Sequence, residues 1–204
     1  GEEIMSDFGD EFDFVDTYSS EVEEDTAELL PDNTAESAIN CAFIGVGGGG
    51  GKLAKAFLDI GFSRSLLVNT TEKDQPAGIE DSNFLLIPGA DGVGKDVKLG
   101  KEILSENSTL VEDAVRARLG TPDWIFVLAG GGGGTGSACS VLNSSLARYL
   151  TATGASGKVF YIISKPSSQE LLNSTIKNNY NELLSDVSGF PHIVIDNERQ
   201  VQLL

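Results

Sequence analysis

DWIFVLAGGGGGTGSACSVLNSSLARYL, residues 123–150, runs from an apolar stretch through five consecutive glycines into a segment with helical spacing. The apolar part is short and continuous, as in a strand buried on both faces. A flexible linker would not sit at the junction of a buried strand and a helix. At such a junction glycines let backbone N–H groups approach phosphate oxygens, and the helix N-terminus adds a favourable partial charge. Thr135 and Ser137 supply hydroxyl donors there, each hydrogen bond to a charged phosphate contributing about 1.5–3 kcal/mol.

The same grammar occurs earlier. GVGGGGGK, residues 45–52, follows the apolar CAFIG and leads into KLAKAFLDIG. A P-loop of the GxxxxGK[ST] type fails on spacing: five residues before Gly51 stands Val46, and Leu53 follows Lys52 where a magnesium-binding hydroxyl is required. The dinucleotide fingerprint GxGxxG matches at Gly45, Gly47 and Gly50, but a run this rich in glycine makes the match uninformative. It also predicts an acidic residue ending the second strand, where SLLVNTTEKD places Asn69. Two glycine turns from one sheet can clasp a phosphate chain from two sides. A third glycine-bearing stretch, PGADGVGKDVKLGKEI at 88–103, has Lys95 and Lys98 near it and also reads as an ordinary strand-to-helix turn.

Outward from these turns, six apolar runs alternate with helical patterns: CAFIGV, SLLVN, FLLIPG, DWIFVLAG, KVFYIIS and HIVIDN. Leu53, Phe57 and Ile60 share one helical face, as do Leu110, Val111, Ala114, Val115 and Leu119, and then Leu172, Ile176, Tyr180 and Leu183. Ser108 and Ser168 are the expected N-caps of the last two helices. The pattern predicts an α/β fold, a doubly wound, mainly parallel Rossmann-like sheet with helices on both faces and ligands at the C-terminal strand ends.

The chain has 204 residues, 40% of them hydrophobic, enough for one compact domain and a tail. Its net charge of −17 is uneven: residues 1–40 hold 14 of the 31 acids and no Lys or Arg. The remaining residues are nearly balanced, so no direct nucleic-acid partner and no membrane insertion are expected. Residues 1–39 read as an acidic, disordered or docking tail, in which Phe8, Phe12, Phe14 and Tyr18 interleave with acids and suit a partner groove. Cys41, Cys139 and the lack of a secretory pattern fit a reducing, cytoplasmic setting. The single histidine, His192, leaves little from which to build a triad or a zinc site and reads as a strand-edge residue. Gly1 stands where an initiator would, and the sole Met is Met5, as in a processed or trimmed chain.

Taken together, the motifs resemble the tubulin and FtsZ superfamily of GTP-dependent filament proteins, nearer the bacterial FtsZ side. GGGTGS at 132–137 is similar to the signature loop, and the other matches follow in the family's order. GVGGGGG is similar to the first phosphate loop, VNT at 68–70 to the second, and GVGKDVKLG at 92–100 to the loop that senses the γ phosphate. SKP at 164–166 resembles the ribose-side loop and IDNER at 195–199 the guanine-side segment.

The resemblance implies a tubulin/FtsZ GTPase-domain fold over residues 40–204, ending as the family's central helix begins. It implies that Gly47, Gly48, Gly49, Gly50, Gly51 and Lys52 approach the α and β phosphates of GTP or GDP, with Asn69 in the second loop. Gly132, Gly133, Gly134, Thr135 and Gly136 would hold the phosphate chain and Gly94 would face the γ phosphate. Pro166 and Glu170 fall to the ribose side and Asn197 to the guanine edge. Mg²⁺ is implied through the phosphates rather than through protein ligands. The family's usual Asp after the second-loop Thr is Thr71 here, its arginine beyond Glu170 is Ser174, and the last signature glycine is Ala138. Catalytic carboxylates are expected beyond residue 204, on a neighbouring subunit, so hydrolysis would need the assembled, full-length filament form. The alternatives are a divergent member that binds nucleotide as a structural or regulatory ligand without hydrolysis, and, more remotely, an NAD-binding oxidoreductase.

Overall fold

The computed structural model describes residues 40–153 and 158–196. The acidic segment 1–39 and Asn197 lie outside the described residues. Six strands form one sheet: β1 (Cys41–Val46), β2 (Ser65–Asn69), β3 (Phe84–Leu86), β4 (Trp124–Gly130), β5 (Lys158–Ser164) and β6 (His192–Ile195). Every pairing is parallel, in the order β3-β2-β1-β4-β5-β6. Each strand coincides with one of the six apolar runs; the central β1, β2, β4 and β5 are apolar because they are covered on both faces, while the edge strands β3 and β6 are partly exposed.

The helices are α1 (Gly47–Asp59), α2 (Val97–Glu106), α3 (Ser108–Leu119), α4 (Gly134–Ser137), α5 (Asn143–Ala152) and α6 (Ser174–Val187). Alternation along β1 divides them between two faces. Ala42, Ile44 and Val46 point to a large core filled by α2, α3, α5 and α6 through residues such as Leu104, Val115, Leu146 and Leu183. Phe43 points the other way, onto α1, where Ala54, Leu53 and Phe57 cover it. Phe43 stacks on Phe57 at 4.3 Å and on Phe126 at 5.3 Å between ring centroids. No helix among the described residues is long and apolar enough to cross a membrane.

Several local expectations shift. The first glycine run is not a loop preceding a helix: α1 begins within it, at Gly47. Val97–Glu106, read as part of a loop, is a helix, N-capped by the Asp96 carboxylate, which accepts from the Leu99 N–H at 3.0 Å. Asn107, not Ser108, precedes α3. Asn173, not Ser168, caps α6, its Oδ1 accepting from the N–H groups of Thr175 and Ile176. Leu172 therefore sits in the turn before the helix and is 86% exposed rather than on its buried face. Ile60, one residue past the end of α1, and Leu110 are likewise exposed. The expected single helix after the second glycine turn is broken into α4, a 3-10 turn at Cys139–Leu142 and α5.

His192 starts the edge strand and is exposed, as read from sequence. Both cysteines are free thiols. Cys139 is fully buried, and burial, reinforced by the charge of Asp186, pushes its thiol up to about 12. Brief treatment of the native chain with a maleimide at pH 8 is thus expected to modify Cys41 and spare Cys139 until the chain is unfolded. Mass spectrometry of the digested protein checks this, and equal labelling of the two would contradict the packing around Cys139.

Candidate functional site

The strand order reverses beside β1: β2 and β3 continue to one side, β4 to β6 to the other. In open parallel sheets the connections diverge at such a point and leave a crevice at the C-terminal strand ends. Here that crevice is a cleft of about 830 Å³, bounded by the residues that follow β1, β2, β4 and β5 and by the loop between β3 and α2.

The first wall is the start of α1. Gly47, with φ of +75°, turns the chain from strand to helix without an intervening loop. An ideal Cβ on it would sit 2.8 Å from the Gly136 nitrogen, so the two glycine turns meet backbone to backbone. Gly47, Gly48, Gly49 and Lys52 line the cleft. Gly50 and Gly51 do not. A Cβ on Gly50 would overlap the carbonyl oxygen of Leu128 and lie 2.9 Å from its carbonyl carbon, and Gly51 faces Leu67 beneath the helix. These two let α1 lie against the sheet. The first-turn N–H groups of α1, which have no partner within a helix, open toward the cleft.

The second wall is the turn after β4. The Gly131 N–H donates to the Ser164 carbonyl at 2.9 Å, tying the turn to β5. The Gly132 N–H donates to Ser137 Oγ at 3.1 Å. Ser137 is fully buried, so its hydroxyl shapes the turn instead of facing the cleft. Gly132, with φ of +108°, is also withdrawn from the cleft: a Cβ there would meet Ile176 Cγ2 at 2.7 Å. Gly133, Gly134, Thr135 and Gly136 line the cleft. Thr135 Oγ1 lies 3.0 Å from Thr70 Oγ1, joining this wall to the end of β2.

A third wall comes from β2 and the β3–α2 loop. Asn69 is buried and its Oδ1 accepts from the Thr70 N–H at 2.8 Å. The Gly92 N–H donates to the Thr70 carbonyl, and the Gly134 N–H to the Gly94 carbonyl, each at 2.8 Å. Gly94 lines the cleft with Gly92 and Val93. Thr71 donates to Asp91 Oδ1 at 3.1 Å, and Lys73 Nζ approaches Asp91 Oδ2 at 3.1 Å. The Lys73 ammonium, then the Thr71 hydroxyl, hold the Asp91 carboxyl below its ordinary range.

The remaining wall follows β5: Ser164, Lys165, Pro166, Ser167 and Glu170. Ser167 and Glu170 form a reciprocal cap, the Ser167 N–H donating to Glu170 Oε1 and the Glu170 N–H to Ser167 Oγ, both at 3.1 Å. Lys165, Thr70, Thr71 and Asp74 line the cleft without having been singled out as site residues. Their signal lay in the motif positions next to residues that were. Among the described residues no group of three His, Cys, Asp or Glu side chains could hold a metal ion. The hydroxyls of Thr70, Thr71 and Thr135 and the carboxylate of Asp74 are hard oxygen donors of the kind Mg²⁺ takes when phosphates complete its shell.

No established family profile matches the chain. Over 135 residues it is 27% identical to the cell division protein FtsZ of Methanothermobacter thermautotrophicus, an alignment covering 64% of this chain and 33% of that protein. Among solved structures it superposes on CetZ from Methanosaeta thermophila with a TM-score of 0.70 at 24% identity, covering 81% of this chain and 48% of that one. It superposes on CetZ2 from Haloferax volcanii, solved as a GTPγS-bound protofilament, with a TM-score of 0.64 at 28% identity, covering 78% and 49%. The chain thus spans about a third of the FtsZ relative and about half of the solved relatives.

Proposed function

We propose that this chain, which belongs by sequence and fold to the tubulin/FtsZ superfamily, binds GTP or GDP in the cleft at the β1/β4 crevice. The observation that carries the reading is the meeting of two glycine turns, Gly47–Gly49 and Gly133–Gly136, over the ends of adjacent parallel strands. Apart from Thr135, the backbone there carries no side chains on either side of a cleft of about 830 Å³.

Each wall has its task in this reading. The glycine turns present N–H donors to the phosphates, Lys52 adds a cation, and Thr70 and Thr135 add hydroxyls. Glu170, which already accepts one hydrogen bond from Ser167, has a second oxygen to accept from ribose hydroxyls. Asn197, outside the described residues, is assigned to the guanine edge by the family motif alone. Mg²⁺, bound chiefly by the phosphates, would neutralise part of their charge near Thr70, Thr71 and Asp74. In the longer polymerising protein, GTP would be hydrolysed at a contact between subunits, where a neighbour supplies the carboxylates that position water. Self-association into filaments is part of the same proposal, supported by the protofilament form of the CetZ2 relative. A cytoplasmic location, the docking role of residues 1–39 and the assignment of 40–204 as the nucleotide domain are proposed with it.

One observation favours the variant without hydrolysis. Thr71 stands where the family has Asp, and its hydroxyl is already engaged with Asp91. Competition titrations against a fluorescent GTP analogue, with and without Mg²⁺, test the whole reading. GTP and GDP are expected to displace the probe, ATP to do so at least tenfold more weakly, and NADH fluorescence to stay unquenched. Equal displacement by ATP would overturn the guanine assignment. Phosphate release by the longer protein under assembly conditions separates the hydrolysing from the non-hydrolysing form.

A further inference from the structure

The cleft has two chemically different ends. Glu170 stands at the β5 end, Gly92–Gly94 at the β2/β3 end, and the glycine turns between them. A carboxylate without a cation beside it repels phosphate; Asp74, at the β2 end, is the one placed beside Mg²⁺ in the nucleotide reading, which leaves Glu170 as the repelling group. Resting on the nucleotide reading above, the sugar therefore lies toward Glu170 and the polyphosphate runs toward Gly92–Gly94. Only the longer chain of a triphosphate extends to that far wall.

What places the far wall is a residue outside the cleft lining. Asn179 of α6 is 7% exposed, and its Nδ2 donates to the Lys95 carbonyl at 2.9 Å and to the Gly132 carbonyl at 2.8 Å. Lys95 belongs to the β3–α2 loop and Gly132 to the second glycine turn. Ile176 and Tyr180, on the same helical face, back the glycine turn: a Cβ on Gly132 would meet Ile176, and one on Gly131 would overlap Tyr180 Cδ2. A main-chain bond also joins the two segments, from the Gly134 N–H to the Gly94 carbonyl at 2.8 Å.

We propose that Asn179 is a positioning residue that holds the Gly92–Lys95 loop at a set distance from the glycine turn and thereby sets the preference for a nucleoside triphosphate over a diphosphate. Its amide group is suited to this, with two N–H donors directed to two main-chain carbonyls from separate segments. Neither an aliphatic nor a carboxylate side chain can make both bonds. Without them the loop keeps the Gly134–Gly94 bond and its close packing on Gly134, but loses its tie to Gly132. A diphosphate is affected little, because the glycine turn stays tied through the Gly131–Ser164 and Gly132–Ser137 bonds, whereas a triphosphate also loses the placement of its far wall.

The test compares the unmodified chain with Asn179→Ala, Asn179→Ser and Asn179→Asp by competition titration with GTP and with GDP, alongside hydrogen exchange of the unliganded chains. The expected result is at least a fivefold fall in the ratio of GTP to GDP affinity, with GDP affinity changed less than twofold. Faster exchange at residues 93–95 and 132–134, with the sheet unaffected, should accompany it. A purely structural role would weaken both nucleotides alike. That outcome, or an unchanged ratio in the variants that fold, overturns the role of Asn179. Failure of the unmodified chain to bind either nucleotide overturns the nucleotide reading itself, so the two failures are distinguishable.

Discussion

Gly50→Ala is expected to lower the midpoint of thermal unfolding by about 10 °C, while the neighbouring Gly51→Ala leaves it unchanged or slightly raised. At Gly50 an added methyl would overlap the Leu128 carbonyl oxygen and lie 3.2 Å from the Ala129 Cα, all main-chain atoms of the central β4. Backbone in the middle of a six-stranded sheet has no rotamer to change, so α1 must lift off the sheet. Gly45, across the same junction, cannot give way, since its own Cα faces the Gly50 carbonyl and the Ala54 Cβ closely enough that a side chain there would overlap both. Overpacking costs about 1–3 kcal/mol and occasionally more; with backbone on both sides the upper end applies. A chain of this size loses about 2–4 °C per kcal/mol. At Gly51 the added methyl meets Leu67 Cδ2 at 3.4 Å, ordinary contact with a side-chain tip. Alanine also gains about 0.5–1 kcal/mol over glycine within a helix. Calorimetry or circular dichroism melts of the two variants decide it. Equal shifts would mean that the glycine run is a uniform loop and that the seating of α1 on β4 is wrong.

That contrast shows what glycine identity alone leaves undetermined. From sequence, the residues of GVGGGGGK are equivalent candidates for contact with phosphate. In the fold, depth along α1 sorts them: Gly47–Gly49 open the helix at the cleft, while Gly50 and Gly51, further along it, lie against the sheet. Gly132 and Ser137 were misplaced for a related reason: a turn tight enough to present N–H groups outward consumes some of its own donors and acceptors inward. By contrast, the central strands β1, β2, β4 and β5 were legible because burial on both faces leaves an apolar run that needs no knowledge of tertiary partners, and the partly exposed edge strands β3 and β6 keep short apolar runs of the same kind. Helix α2 was hidden by Gly100, Lys98 and Lys101, residues that dilute its buried face of Val97, Gly100, Ile103 and Leu104. Its signal was the Asp96 cap. Asn179 carries no local signature, since its two partners lie far away in the chain and only the packing of α6 brings them together.

Gly133→Asp is expected to reduce nucleotide affinity at least 100-fold while leaving the melting midpoint unchanged or higher. Position 133 is the N-cap of α4, with φ of −76° and ψ of 162°, an extended conformation open to any residue. A Cβ there has no neighbour within 4 Å, so the side chain fits without displacing anything. Aspartate at an N-cap accepts from the first N–H groups of the helix, which stabilises the turn by a few tenths of a kcal/mol relative to glycine. Those N–H groups, on Thr135 and Gly136, are the donors assigned to the phosphates, so the new carboxylate takes the place of the ligand. Its charge also repels any phosphate that remains: at about 5 Å with an effective dielectric near 20 the cost is about 3 kcal/mol, or more than two decades in affinity. Gly133→Asn separates the two effects, since the amide caps the same donors without the charge and should weaken binding by an intermediate factor. High salt should restore part of the loss in Gly133→Asp and little of it in Gly133→Asn. If Gly133→Asp folds and binds GTP like the unmodified chain, the phosphates do not lie at the Gly133–Gly136 turn, and the cleft reading fails at its centre.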